Sequence, residues 1–507
     1  MKKLAKITAV LIILAFAVSV FAACGENAPP VDSGNVPGDL GGESVGNDEE
    51  NQDEEEVKIL PNLEDADFGG HIFNVLIPDH TSGDWVDWNP RDVVWSEENS
   101  GDTINDAVFA RNTYLEDKYN FVIAAVPSPN NDPLANIRRA VQSNDELYDA
   151  AQVSMRSSPD VAQNGTFMNL YEVDNLDFTQ PWWDQAANAA LSFGNKLYYT
   201  SGDILMVNND TCTGIVYNKD LLRDLGLDNP YPIVKEGKWT MSRLYDMVKN
   251  ASDDLNGDGL MNYQDDRFGF IGQRDTLISF LHSANEYITK KDENDYPYIT
   301  FGSERSYDAM NACFEIMYDR NITHNAHHIE SRVPAIYPVS EEMFMDNRAL
   351  FMWVRLRIVE NLRSMDTDFG ILPLPKLDEN QDDYYTDVIS HTGLVLVVPA
   401  NASNPSRTGH ILEAIAAESK YTTMPAYYDV TLKTKMARDD DSAEMLDIIF
   451  NNRVWDPGEY ANYGGFSGDL IQLSMRDDPN IASLFERLQP RMERDIERAI
   501  ERFGALD

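Results

Sequence analysis

Twelve residues in the middle of the chain carry oxygen donors at intervals that suit a hard cation. They read Asp254-Leu255-Asn256-Gly257-Asp258-Gly259-Leu260-Met261-Asn262-Tyr263-Gln264-Asp265. Asp254, Asn256, Asp258, Asn262 and Asp265 offer side-chain oxygens, and Leu260 offers its backbone carbonyl. Gly259 stands sixth, where the chain must turn sharply. This is the spacing with which an EF-hand-type loop wraps calcium. The last donor is Asp265, where the usual loop has Glu, so the ring must tighten for the shorter carboxylate to reach. The expected role is structural, one ion neutralising clustered carboxylates. A solvated turn held by Asx hydrogen bonds is the alternative.

A second set of residues pairs aromatic rings with planar polar groups. The C–H face of a sugar packs on a ring, while carboxylates, amides and guanidinium forks take its hydroxyls. Such pairs stand at Trp85-Val86-Asp87-Trp88-Asn89, Met155-Arg156, Trp182-Trp183-Asp184, Trp353-Val354-Arg355 and Trp455-Asp456, the last followed by Tyr460 and Tyr463. The candidate ligand-binding residues are Trp85, Asp87, Trp88, Arg156, Trp183, Trp353, Arg355 and Trp455. Trp183 is also open to a core reading, shared with Trp182 and Trp239, and Trp95 reads as core. His324, His327 and His328 could place two imidazoles near a zinc ion. With no further ligand beside them, they read as solvent-exposed. Gly465-Phe466-Ser467-Gly468 is too short for a hydrolase nucleophile elbow. No HExxH, P-loop or dinucleotide fingerprint occurs.

The elements that would hold these residues can be read from apolar runs. Ile72–Ile77, Phe121–Val126 and the stretch near Ala150–Val153 read as strands, and 103–118 and 134–143 as helices between them. Further strands are expected at 214–217, 349–353 and 393–399. The segments 442–450 and 479–503 read as helical. Strands alternating with helices imply an α/β fold with a mainly parallel sheet.

The chain of 507 residues has room for two or three domains. Its 41 basic and 85 acidic residues leave a net charge of −44. That surface repels phosphate backbones, so nucleic acid is not an expected partner. It also repels anionic lipid, so attachment to a membrane needs an apolar anchor. Three cysteines exclude a disulfide-rich scaffold. Cys212 and Cys313 read as inert buried thiols in preference to a bridge.

Lys2, Lys3 and Lys6 precede an apolar stretch that ends at Phe21-Ala22-Ala23-Cys24. This is a secretory signal over 1–23, and its end resembles a bacterial lipobox, with Phe21 where Leu is usual. Acylated Cys24 would then be the mature N-terminus. An uncleaved membrane anchor is the alternative. Residues 24–66 read as a lipidated start and a disordered spacer whose run Asp48–Glu56 repels itself.

Several segments, taken in order, carry a resemblance. They are Lys196-Leu197-Tyr198-Tyr199 before Gly202-Asp203, then Ile215-Val216-Tyr217-Asn218-Lys219-Asp220-Leu221-Leu222, then Lys238-Trp239-Thr240. Asp368-Phe369-Gly370-Ile371-Leu372-Pro373-Leu374-Pro375-Lys376 follows, and last the strand 393–399 with Ala400-Asn401-Ala402. Together they resemble the extracellular solute-binding proteins of ABC importers, of the carbohydrate-binding family 1 type, although the Trp and Thr at 239–240 are swapped. The resemblance implies a two-lobed periplasmic-binding-protein-like α/β fold with a hinge and a ligand cleft. Crossings are then expected near 208–214, 370–378 and 424–430. Lobe 1 would be 67–210 plus 378–425, and lobe 2 would be 211–372 plus 428–507.

The implied activity is capture of an oligosaccharide by cleft closure, without catalysis, by a lipid-anchored monomer. Its partner would be an ABC permease at the extracellular face of the cytoplasmic membrane. An exported glycoside hydrolase, or a sensor that reports to a membrane receptor, is the competing expectation.

Overall fold

A computed structural model describes residues 58–80, 88–94, 99–428 and 440–506. The signal sequence, Cys24, most of the acidic spacer, Trp85, Asp87 and Trp95 lie outside the described residues, as does part of the third expected crossing. Residues 58–507 form one compact unit. Among the described residues, no helix is long and apolar enough to cross a membrane.

Two separate sheets organise this unit. In the first, β1 (His71–Ile77) pairs in parallel with β2 (Phe121–Pro127) and β3 (Ala150–Ser154), and β12 (Leu394–Val397) returns antiparallel to β3. The order is β12-β3-β1-β2. Alternation along β1 buries Phe73 and Val75, as period-two patterning requires. The helix Thr103–Tyr119 starts where the Asp102 carboxylate accepts from the Ile104 amide at 2.9 Å and ends at Asn120 in the left-handed region. Asp132 caps the helix Pro133–Ser143 in the same way.

The second sheet has the order β10-β4-β9-β5-β8. Its strands are β4 (Thr213–Asn218), β5 (Phe268–Gly272), β8 (Thr323–Asn325), β9 (Ala349–Arg355) and β10 (Phe369–Leu372). β5 runs parallel to β8 and β9, whereas β4 opposes both β9 and β10. The first sheet is mainly parallel, as expected, whereas the second is evenly mixed. In each, a strand adjoining a crossing, β12 or β4, runs against its neighbours. All seven residues of β9 are buried, which is why 349–353 reads as an uninterrupted apolar run.

Short ladders tie the crossing segments together. The Asn208 side chain donates to the Leu394 carbonyl at 2.9 Å and accepts from the Leu394 amide at 3.0 Å. The Ile389 amide donates to the Thr211 carbonyl. β11 (Thr386–Asp387) pairs in parallel with β13 (Arg453–Val454). The smaller hairpin β6 (Thr289–Lys291) and β7 (Pro297–Ile299) lies beside the C-terminal helix Ile481–Gly504.

That helix serves both halves of the molecule. Phe485 packs on Phe301 and Phe466 beside the second sheet's helices, with ring centroids 5.2 and 5.8 Å apart. Eighteen residues further on, Phe503 meets Phe193 and Tyr198 at 4.3 and 5.2 Å. Pro490 sits between the two contacts. The sequence reading placed all of 428–507 in lobe 2, but the last turns of this helix rest on residues of lobe 1.

Trp183 is core, and so is Trp182. Their indole N–H groups donate to the two oxygens of Glu413 at 3.1 and 2.9 Å for Trp182 and Trp183, and the Asp177 amide adds a third bond at 3.2 Å. Burial pushes the Glu413 carboxyl up to about 7 despite these bonds. Cys212 and Cys313 are free and buried. Burial lifts both thiols well out of the reactive range, Cys212 to about 12.

Replacing Glu413 by Ala strands two buried indole donors. Urea denaturation of Glu413→Ala should show a loss of roughly 2–4 kcal/mol, about 1–2 for each orphaned donor. A loss under about 0.5 kcal/mol would show that the indoles do not depend on this carboxyl.

Candidate ligand cleft

In an open α/β sheet, ligands meet the carboxyl ends of the strands, where backbone groups run out and loops begin. Here the two sheets present these ends to one another. From the second sheet come Gln273, Arg274 and Asp275 after β5, Ala326 and His327 after β8, and Arg355 at the end of β9. From the first come Trp88 in the segment after β1, Arg156 after β3, and Ser390, His391 and Thr392 before β12.

Arg355 is the centre of this meeting. It is 2% exposed, and its guanidinium lies over the Trp88 ring at 4.7 Å and the Tyr337 ring at 5.3 Å. Flat guanidinium on aromatic faces is a favourable stack that leaves the N–H edge open. The Nε and Nη1 atoms of Arg355 are buried and have no hydrogen-bond acceptor. Nearby, the Arg274 amide donates to Nδ1 of His327 at 3.3 Å, and His327 meets Tyr337 edge-on at 6.2 Å. Asp275 lies 3.9 Å from Nε of Arg274 and 3.8 Å from Nε2 of His391.

Burial drives the His391 pKa down to about 4, and Arg355, Arg156 and Arg274 push it the same way against Asp275. His327 falls to about 4 for the same reasons, burial first. Both imidazoles are thus neutral at physiological pH and can accept as well as donate. A cavity of about 100 Å³ opens between Trp88, Tyr337, Glu341, Arg355 and Arg357. Ligand pockets usually exceed about 300 Å³, so this cavity is smaller than a ligand site in the present conformation.

Behind the cleft lies a buried carboxylate cluster at the crossings. Asp387 accepts from Thr213 and, at 3.1 Å, from Ser279. Asp456 accepts from the amides of Thr289 and Gly458 at 3.2 and 2.8 Å and lies 3.2 Å from Nε2 of His282. Glu459 accepts from Ser390. Burial pushes Glu459 up to about 7, with Asp387 and Asp456 adding to it against His282 and Ser390. Burial alone would lower His282, but Asp456 and its neighbours outweigh that and raise it.

The other expected ligand residues scatter. Arg156 lines a polar cavity of about 340 Å³ with Tyr460, Tyr463 and Arg491, close enough to the cleft to act on His391. Trp353 lies inside the second sheet, opposite Ile215 on β4, with its indole nitrogen buried and unpartnered. Trp455 lines a separate cavity with Tyr287 and Lys290. His324 and His327 are buried, not solvent-exposed, because β8 carries His324 into the sheet and the turn after it lays His327 against Tyr337 and the Arg274 amide. His328 faces Asp477 at 3.2 Å. Sequence reasoning missed Arg274, Asp275, Tyr337 and His391. The signal for the first two was their place directly after the Phe268–Gly272 strand.

The oxygen-rich loop folds as a tight run of turns. Asp254 accepts from the amides of Gly257 and Gly259 at 2.8 and 2.7 Å, and Asp258 from that of Leu260 at 2.8 Å. Gly257 and Gly259 have φ of +72° and +82°, a backbone that only glycine adopts freely. Buried Asp266 clamps the ends through the amides of Leu255 and Asn262. No Lys or Arg among the described residues pairs with Asp254, Asp258 or Asp265. The donors are the all-oxygen set that calcium takes. Among the described residues, no three His, Cys, Asp or Glu side chains converge on one point in this conformation.

No protein-family model and no curated protein matches the sequence. Solved structures do share its fold. An ABC substrate-binding protein from Listeria monocytogenes, in complex with cycloalternan, aligns with a TM-score of 0.54 at 10% identity over 84% of this chain and 99% of that one. The GacH receptor of Streptomyces glaucescens, solved unliganded and with acarbose, gives 0.53 at 13% over 84% and 99%. The cyclic alpha-maltosyl-1,6-maltose binding protein of Arthrobacter globiformis gives 0.54 at 14% over 86% and 99%. The chain has the two-lobed α/β fold of these binding proteins.

The carboxylate cluster makes stability depend on pH. The Glu459 carboxyl keeps its proton up to about 7 in the folded chain, against an ordinary 4.5. Its contribution is therefore whole below about pH 4.5 and is lost as pH rises through about 7. His391 and His327, held near 4, act oppositely and cost stability as pH falls below about 6.5. Glu459→Gln removes only the first effect. Its Tm should gain on the wild type between about pH 5 and pH 8, and a Tm difference constant with pH would refute the assignment.

Proposed function

We propose that this chain is a lipid-anchored, extracellular substrate-binding protein of an ABC importer that captures an oligosaccharide by closing two lobes on it. The observation that carries the reading is the Arg355 stack. An arginine with unsatisfied N–H groups, at a strand end of one lobe, is covered by an aromatic ring from the other. That arrangement offers a sugar what it needs, an apolar face and polar edges. The shared fold with proteins solved bound to cycloalternan and acarbose supports it. The apolar run before Cys24 supports the lipid anchor.

The chain binds and does not catalyse. A guest that prefers the closed form shifts the open–closed balance by that preference alone. The closed form then presents both lobes to a permease. Calcium occupies the loop Asp254–Asp265 as a structural ion, with Asp254, Asn256, Asp258, the Leu260 carbonyl, Asn262 and Asp265 as its ligands.

A panel of oligosaccharides should reveal one that raises Tm and changes tryptophan fluorescence, with Trp88 as the reporter. A guest at a hundred times its Kd adds about 2.7 kcal/mol, worth several degrees of Tm in a chain this long. No shift with any glycan, or a guest recovered as cleaved product, would overturn the reading. For the loop, a chelator should lower Tm and added calcium restore it in the wild type, while Asp258→Ala should abolish both responses. Identical melting with and without calcium would remove the ion.

A further inference from the structure

Among the described residues, the meeting point of the lobes is cationic, in a chain whose net charge is −44. Arg355 has no carboxylate of the described residues within 4 Å, and its Nε and Nη1 are buried without acceptors. Arg274 has its Nε in the same condition, with Asp275 no closer than 3.9 Å. Arg156 is the third cation acting on His391, and among the described residues Asp275 is the carboxylate acting against them. Other arginines nearby are already matched. Arg357 lies 3.1 Å from Glu360, and Arg91 lies 3.2 Å from Asp210. Glu341 lines the outer part of the cavity and faces Asn361 at 3.2 Å.

A buried guanidinium without a counter-charge is costly. Neutral hydroxyls would fill its hydrogen bonds but leave its charge uncompensated. A carboxylate does both, and charge-assisted bonds are about twice as strong as neutral ones. The neutral imidazoles of His327 and His391 supply no competing charge. The acidic surface opposes an anionic guest only weakly, because repulsion from charges beyond about 8 Å is screened at physiological salt.

We propose that the guest is an acidic oligosaccharide, one of whose carboxylates is taken by Arg355 with Arg274 in support. This inference rests on the sugar-capture reading and names its substrate class. A sulfated sugar offers the same anionic oxygens, so the test separates the two.

The test is calorimetric titration of the whole exported chain. The probes are short uronate oligomers of several linkages, the carboxyl-reduced oligomer of each, and sulfated galactose oligomers. A uronate oligomer should bind at least roughly tenfold tighter than its reduced form, the value of one charge-assisted bond. Arg355→Gln should remove that preference. Arg274→Gln, which leaves the aromatic stack alone, should weaken uronate binding and spare the reduced oligomer. Its melting temperature without ligand guards against misfolding as the cause. Tightest binding by the sulfated oligomers would replace the carboxylate with a sulfate and overturn the uronate assignment. Equal or tighter binding of the reduced oligomers would overturn this inference and leave sugar capture standing. Silence from every glycan, neutral ones included, would overturn both.

Discussion

One guanidinium joins the two halves of the molecule. Arg355 ends the fully buried strand β9 and lies against Trp88, which the chain supplies from beyond β1 of the other sheet. Neither residue can adopt this arrangement unless both sheets turn their carboxyl ends toward the same gap. A cation resting on a ring in water gains little, but one withdrawn from water gains more, so each lobe completes the environment the other needs.

Short ladders tie the crossing segments together behind that gap. Asn208 mimics a strand partner for Leu394, and β11 against β13 adds a second short ladder. The buried acids Asp387, Asp456 and Glu459 sit among these segments with His282. Their hydrogen bonds reach from the first crossing to the C-terminal part. A network of this kind rigidifies when it is fully satisfied and charges a penalty when it is not.

Most strands and helices were legible because their apolar periods are plain. β1, β2, β3 and β9 fall where the runs of Ile, Val, Phe and Leu stand, within two residues at either end. The direction of β4 was not legible, because strand polarity depends on which lobe the chain arrives from and no local pattern records that. The residues that meet at the candidate cleft were half legible. Trp88 and Arg355 could be named from residue type and position, yet Trp183 and Trp353 share the same composition and are core. An aromatic beside a polar residue reads the same in a cleft or a core, and only tertiary packing decides. Arg274, Asp275 and His391 were missed because each stands without an aromatic neighbour in sequence. His324 was misread as exposed because a three-residue strand is too short to show an alternation, and His327 because a single 3-10 turn carries no periodicity.

The C-terminal helix carries a weak point where it passes from one lobe to the other. Pro490 has no amide hydrogen to give, so the helix lacks one rung there. Phe485 anchors the rod before this point and Phe503 after it. The rod can bend at its missing rung. A fluorophore pair placed before and after Pro490 would register any flexing at that rung as a change in their separation.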